Sequence, residues 1–262
     1  MRRRIGDVGV LVASGASLLL LLSPLAYAVW ISFSPGELLE PPTGAWSLRW
    51  YRTFFATAQW TDGLLESLRV AAASVVLAVA CGGGLALAIA RHRFRGRGGL
   101  TVATLLPLFV PGVVLGMGLL PFLRAIGLWG TSGALALAHA VISLPVVFLV
   151  VRTAVADVDP DLERAARGLG ATPWQATWRV TVPLVGPGVA VAAVMAFILS
   201  LNEFVVALFL GTAETETLPK VIWPSLRYTL SPLVAAASGV VLLLTLAGLA
   251  VACGMLRLAR RT

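Results

Sequence analysis

Charge is scarce in this 262-residue chain: Asp, Glu, Lys and Arg together make up 12 % of it, against 58 % apolar residues. A soluble domain usually carries about 25 % charged residues, so the balance points away from a soluble core and toward helices that cross a bilayer. Lysine is scarcer still. Lys220, between Pro219 and Val221, is the only one, so the Gly-rich loop ending in Lys-Ser or Lys-Thr that cradles nucleotide phosphates is missing and the chain cannot hydrolyse ATP alone. Cysteine and histidine occur twice each. Cys81, Cys253 and His139 fall inside apolar runs and His92 in an arginine cluster at the edge of one, with no spacing that suits a metal, a disulfide or a nucleophile and base pair. No metal and no cofactor is implied, and the cysteines read as small apolar packers.

What the chain has in abundance is apolar runs of about 20 residues, the length that crosses a hydrocarbon layer. They lie near Val8–Phe33, Ser67–Ala90, Leu100–Leu123, Thr131–Val151, Gly188–Leu210 and Pro232–Leu256. The expected fold is all-α, a polytopic membrane bundle of six transmembrane helices with both termini on one side. The run after Arg2, Arg3 and Arg4 has the outline of a signal peptide ending at Ala26-Tyr27-Ala28, but it continues apolar to Phe33 and reads as an uncleaved first span. Gly82-Gly83-Gly84 and Gly112-x-x-x-Gly116 carry no lysine and read as places where helices approach closely.

Fourteen of the twenty basic residues fall on the termini side, in groups around Arg2 to Arg4, Arg91 to Arg97, Arg152 to Arg179 and Arg257 to Arg261. The positive-inside rule makes that side cytoplasmic. The net charge of +8 suits anionic lipid headgroups, because the arginines sit at span ends and no basic domain is present to carry a nucleic acid.

One stretch is polar, from Asp159 to Gln175. Asp159 suits a helix N-cap, Pro160 the first helical position, and Asp161 and Glu163 the positive dipole end. Leu162, Ala165, Ala166 and Leu169 follow at helical spacing as one small apolar stripe. Gly168 and Gly170 can end this helix, and Thr172 with Gln175 opens another of capping-box type. Two short helices meeting at a glycine elbow can be a docking element or a solvated loop.

Within the apolar runs, Glu203 beside Asn202 is the outstanding acid. Counted at 1.5 Å per residue from Gly188, it lies about 22 Å into a layer about 30 Å thick, in the outer half. A carboxylate exposed to lipid there costs at least a few kcal/mol, so it should face a wet cavity or a partner, or carry a proton. It reads as a translocation-path residue or as a packing acid paired with a neighbouring chain.

The polar stretch, with Ala165-Ala166-Arg167-Gly168-Leu169-Gly170-Ala171, Trp178-Arg179-Val180-Thr181-Val182-Pro183 and Pro187, resembles the "EAA" loop of binding-protein-dependent ABC importer permeases. That pattern is roughly Glu-Ala-Ala-x-x-Leu-Gly-Ala followed by Val-x-Leu-Pro. The glutamate position holds Arg164 here, with Glu163 one residue earlier. The segment Phe197–Phe209, Thr217-Leu218-Pro219 and Ser231-Pro232 is similar to the spermidine/putrescine-type branch, particularly its second permease subunit.

The resemblance covers about Asp62 to the C-terminus. It implies a single permease domain over 1–262, with 1–62 a first span and external loop and 63–262 a core whose cytoplasmic coupling loop runs from about 152 to 187. It implies a chain that is not itself an enzyme, in a bacterial-type plasma membrane. Its partners would be a cytoplasmic ABC ATPase dimer, a second permease subunit and an extracytoplasmic substrate-binding protein. Leu162, Glu163, Arg164, Ala165, Ala166, Leu169, Gly170 and Ala171 would couple to the ATPase, and Asn202 and Glu203 would line the path of a polyamine. Ferric iron and phosphonate are alternative solutes in the same class. A secondary transporter would call for more intramembrane charge and a repeat, and a membrane scaffold remains compatible with composition.

Overall fold

A computed structural model describes residues 2–259; of residues 2–10, 12, 258 and 259 it describes the backbone alone. The side chains of Arg2, Arg3 and Arg4, and all of Arg260 and Arg261, therefore lie outside the described residues. Among the described residues every regular element is a helix.

In chain order, α1 runs over Arg2–Ile31 and α2 over Arg49–Ala56. Next, α3 (Ala58–Ala78) passes through a π-helical turn, Val79–Gly83, into α4 (Gly84–Arg91), so that one apolar rod extends over Ala58–Arg91. Helix α5 (Arg97–Leu105) ends in a 3-10 turn at Leu106–Phe109, and α6 (Gly112–Ala125) leaves at a bend of 112°. Helix α7 (Ser132–Ala156) is followed by the short α8 (Pro160–Gly168) and α9 (Pro173–Ala176). A second π turn, Thr177–Thr181, leads into α10 (Val182–Leu201). The chain closes with α11 (Val205–Leu210), α12 (Leu218–Tyr228) and α13 (Pro232–Ala259).

Five helices are long and apolar enough to cross a membrane, and the bent α5–α6 pair makes a sixth if it counts as one span. Two expected spans are thereby corrected. The run Leu100–Leu123 is not one straight helix, because Pro107 and Pro111 bracket the bend and proline cannot donate to a preceding turn. The run Gly188–Leu210 is not continuous either: the helical stretch begins at Pro173 and stops at Leu201, ahead of Asn202 and Glu203.

The chain divides into two compact units. In the unit made of Met1–Thr61 and Val221–Leu243, aromatic packing sets the order. Phe33 stacks on Tyr51 at 5.5 Å, the Tyr51 hydroxyl lies 2.8 Å from Ser32 Oγ, and the Trp50 indole N–H donates to the Gly36 carbonyl at 3.1 Å. Phe54 and Trp60 are buried beside each other.

In the unit made of Asp62–Lys220 and Leu244–Thr262, α7 is the centre. Of its apolar window 61 % is buried, so α7 is the core helix of this unit. Helix α7 packs most extensively on α10. Gly188 permits that approach, since a Cβ there would collide with Ala154 Cβ. Gly82 does the same for the π turn, where a Cβ would come within 3.0 Å of the Leu144 carbonyl. Gly112 and Gly116 of α6 face Val205 and Phe209 of α11, as the small-residue spacing suggests. His139 of α7 is buried and its Nδ1 lies 2.8 Å from Ser200 Oγ of α10. The cysteines differ from expectation: Cys81 and Cys253 are both exposed rather than packed inside.

Candidate functional site

The polar stretch folds as its capping residues dictate. Asp159 adopts extended backbone and its Oδ1 accepts from the Asp161 N–H at 2.9 Å, with Pro160 in the first turn. At the other end, Gly170 has φ +94°, its N–H donates to the Arg167 carbonyl at 3.0 Å, and the Ala171 N–H donates to the Ala166 carbonyl at 3.1 Å. This pair of bonds is a Schellman closure, and the left-handed position suits glycine. Thr172 and Gln175 then cap each other, side chain to backbone, at 3.3 and 3.0 Å, so the second helix starts where the Thr-x-x-Gln pattern places it.

Helix α8 buries no residue. Leu162 is 47 % exposed and Leu169 91 % exposed, leaving the stripe they form with Ala165 and Ala166 uncovered in the isolated chain. Arg164 pairs with Asp161 on the same exposed surface. Beside it, Trp174 and Trp178 pack at 5.2 Å and border a cleft of about 470 Å³ that Leu87, Ala88, His92 and Val182 also line.

Glu163 behaves differently from its neighbours. Its carboxylate turns away from the exposed stripe, lies 3.2 Å from Arg91 Nε at the end of α4, and accepts from the Thr181 hydroxyl at the end of the second π turn. The Arg91 and Glu163 side chains are only 13 % and 17 % exposed. The Arg91 Nε–H is not aimed along that contact, so charge holds the pair, while Arg91 Nη2 donates to the Val158 carbonyl at 3.2 Å. Sequence patterning flagged Glu163 and missed Arg91 and Thr181. An arginine in the last turn of an apolar rod is an ordinary dipole-complementing residue, and nothing local marks its partner.

The structure brings the loop residues together and leaves Asn202 and Glu203 elsewhere. Glu163 meets the start of α10 at Thr181, and Glu203 follows its end at Leu201; the 20 residues between span about 30 Å, comparable to a hydrocarbon layer. Glu203 is half-buried and its Oε1 accepts from the Val206 N–H at 2.8 Å, capping α11. Asn202 is exposed and its amide donates back to the Ile198 carbonyl at 2.8 Å. Lys220 finishes the same short helix from its other end, its ammonium donating to the carbonyls of Gly211 and Thr212 at 3.0 Å each. Among the described residues no three His, Cys, Asp or Glu side chains converge to hold a metal.

The chain is 31 % identical over 219 residues to the putrescine transport system permease protein PotI of Escherichia coli K12, covering 81 % of this chain and 78 % of that one. It is 37 % identical over 193 residues to the molybdenum transport system permease protein ModB of Mycobacterium tuberculosis H37Rv, covering 68 % and 72 %. A structure of a bacterial ABC transporter involved in the import of the acidic polysaccharide alginate superposes with a TM-score of 0.76 over 99 % of this chain and 96 % of that one, at 18 % identity, a likeness of fold. The profile of the binding-protein-dependent transport system inner membrane component family matches residues 74–261. With that match over most of its length, the chain belongs to this family, as a permease component of an ABC importer.

Proposed function

We propose that this permease takes up a small polyamine through a path passing Asn202 and Glu203, driven through the loop of α8 and α9 by a separate ATPase dimer. The observation that carries the coupling reading is the uncovered stripe of α8, held by its own caps and ended at the left-handed Gly170. A helix whose Leu162 and Leu169 stay uncovered in its own chain, yet which is fixed at both ends, suits docking into another protein. Nucleotide can then bias the spans only by the difference in contact free energy that this helix makes with open and closed ATPases.

The partners on this reading are the ATPase dimer, a second permease and an extracytoplasmic binding protein. The loop and both termini face the cytoplasm, as the arginine distribution favours. The likeness to a putrescine permease and the half-buried carboxylate of Glu203 support a cationic solute. The test is reconstitution: the chain is purified with its ATPase, sister permease and binding protein, and uptake of labelled putrescine, molybdate and trehalose is compared. Putrescine uptake that depends on ATP is the expected result. Molybdate or trehalose uptake in its place, or no ATP-dependent uptake of any of the three, would overturn the substrate.

A further inference from the structure

We propose that Glu163 is an internal strut, a positioning residue that transfers displacement of α8 to the rod Ala58–Arg91 through Arg91 and to α10 through Thr181. This rests on the coupling reading above and assigns to Glu163 the inward half of that loop's work.

Three observations carry it. The carboxylate oxygen Oε1 is shared between the Arg91 guanidinium and the Thr181 hydroxyl, so one atom joins three separate elements. Thr181 is fully buried and Arg91 also holds the Val158 carbonyl, just ahead of the Asp159 cap, so the joint grips α8 at its entry and in its middle. The remaining α8 surface, Leu162 and Arg164 included, faces outward, which leaves Glu163 as the side chain of this helix with charge-assisted contacts to its own spans.

Physical chemistry makes the choice of an ion pair informative. A mostly buried pair loses much of its Coulomb gain to desolvation, and apolar packing of the same volume would stabilise as well or better. What the pair supplies is a tie between elements: charge attraction to Arg91 and the hydrogen bond from Thr181 hold α8 to two segments that each carry a π turn, a distortion frequent at functional sites. A helix pushed by a partner would slide over an apolar contact but carries its neighbours with it through a charge pair.

The experiment uses the complete importer in proteoliposomes. It measures ATP hydrolysis together with uptake of labelled putrescine, molybdate and trehalose, and pull-down of the ATPase reports assembly. Glu163→Gln and Arg91→Gln are each expected to lower solute moved per ATP by at least about tenfold while the ATPase stays bound. The exchanged pair, Arg91→Glu with Glu163→Arg, is expected to regain at least about a third of the parental ratio, since the Thr181 hydroxyl can accept as well as donate. A Glu163→Gln importer that moves the parental number of solutes per ATP overturns the strut while leaving the permease reading intact. If the single variants fail to assemble, Thr181→Val decides the matter, since it removes the hydroxyl that Glu163 holds and keeps the ion pair: parental solute moved per ATP overturns the strut. A parental importer that hydrolyses ATP but moves none of the three solutes overturns the polyamine reading, and the strut is then read from the stimulation of ATP hydrolysis by the binding protein, where Glu163→Gln at the parental stimulated rate overturns it.

Discussion

Glu203 does two things that a single substitution can separate. Its carboxyl group caps the N–H of Val206, and it is an acid in an otherwise apolar stretch. A glutamine keeps an oxygen for that N–H and removes the charge. Glu203→Gln is therefore expected to assemble normally and to lower putrescine uptake about tenfold, the size of one lost charge-assisted contact; unchanged uptake takes the carboxylate off the path. Gly188 makes a purely steric case. Its missing Cβ is the space Ala154 occupies, so Gly188→Val should force α7 and α10 apart at a cost of about 1–3 kcal/mol, read as a lowered melting temperature in detergent. At this scale the sequence was legible where small residues stood out at helical spacing, as Gly112 and Gly116 do. It was silent on which way Glu163 turns, because Arg91 and Thr181 are distant in the chain and each has an ordinary reason to be where it is.

Among the elements, the two short loop helices were readable almost bond for bond, because caps are local rules: Asp159, Thr172 and Gln175 make the contacts that their order in the chain predicts. The long apolar runs were less so. Nothing polar enough to mark a helix end precedes Asn202, and α11 is held by packing on Gly112 and Gly116, a contact between distant segments. The bend between α5 and α6 did have a local signal in Pro107 and Pro111, which membrane helices often accommodate as a kink. The elbow supplies the element-level prediction. At φ +94° an alanine is strained by about 1 kcal/mol, whereas proline cannot adopt the angle at all and removes the N–H that holds the Arg167 carbonyl. Gly170→Pro should insert in the membrane at the parental level while ATP-driven uptake is lost, and parental uptake would show that the elbow is dispensable.

For the whole molecule, the question is which side of the membrane the loop occupies and what covers it. Leu169 is the natural probe, being nearly fully exposed in the isolated chain. With Cys81 and Cys253 replaced by serine, Leu169→Cys should react with a membrane-impermeant maleimide in inverted vesicles and not in intact cells, and the ATPase should protect it. Reaction from outside the cell would reverse the orientation that the arginines favour. Reaction undiminished by the ATPase would place the contact elsewhere. Apolar length led to six spans, against five straight ones and a bent pair in the structure, and it gave no sign of the two compact units, since the contact of Gly239 with Tyr51 inside the first unit joins segments that no local pattern links.

The ammonium of Lys220, tied to two carbonyls and close to Glu216, has a consequence for anyone mapping the assembled importer. Within the body of this chain it is the one primary amine, and it is hydrogen-bonded and mostly shielded. Succinimidyl esters and other amine-directed reagents will thus leave this subunit almost blank. Proximity maps drawn with them will record the neighbours talking to each other, and this permease will have to be traced through its carboxylates or through cysteines placed by design.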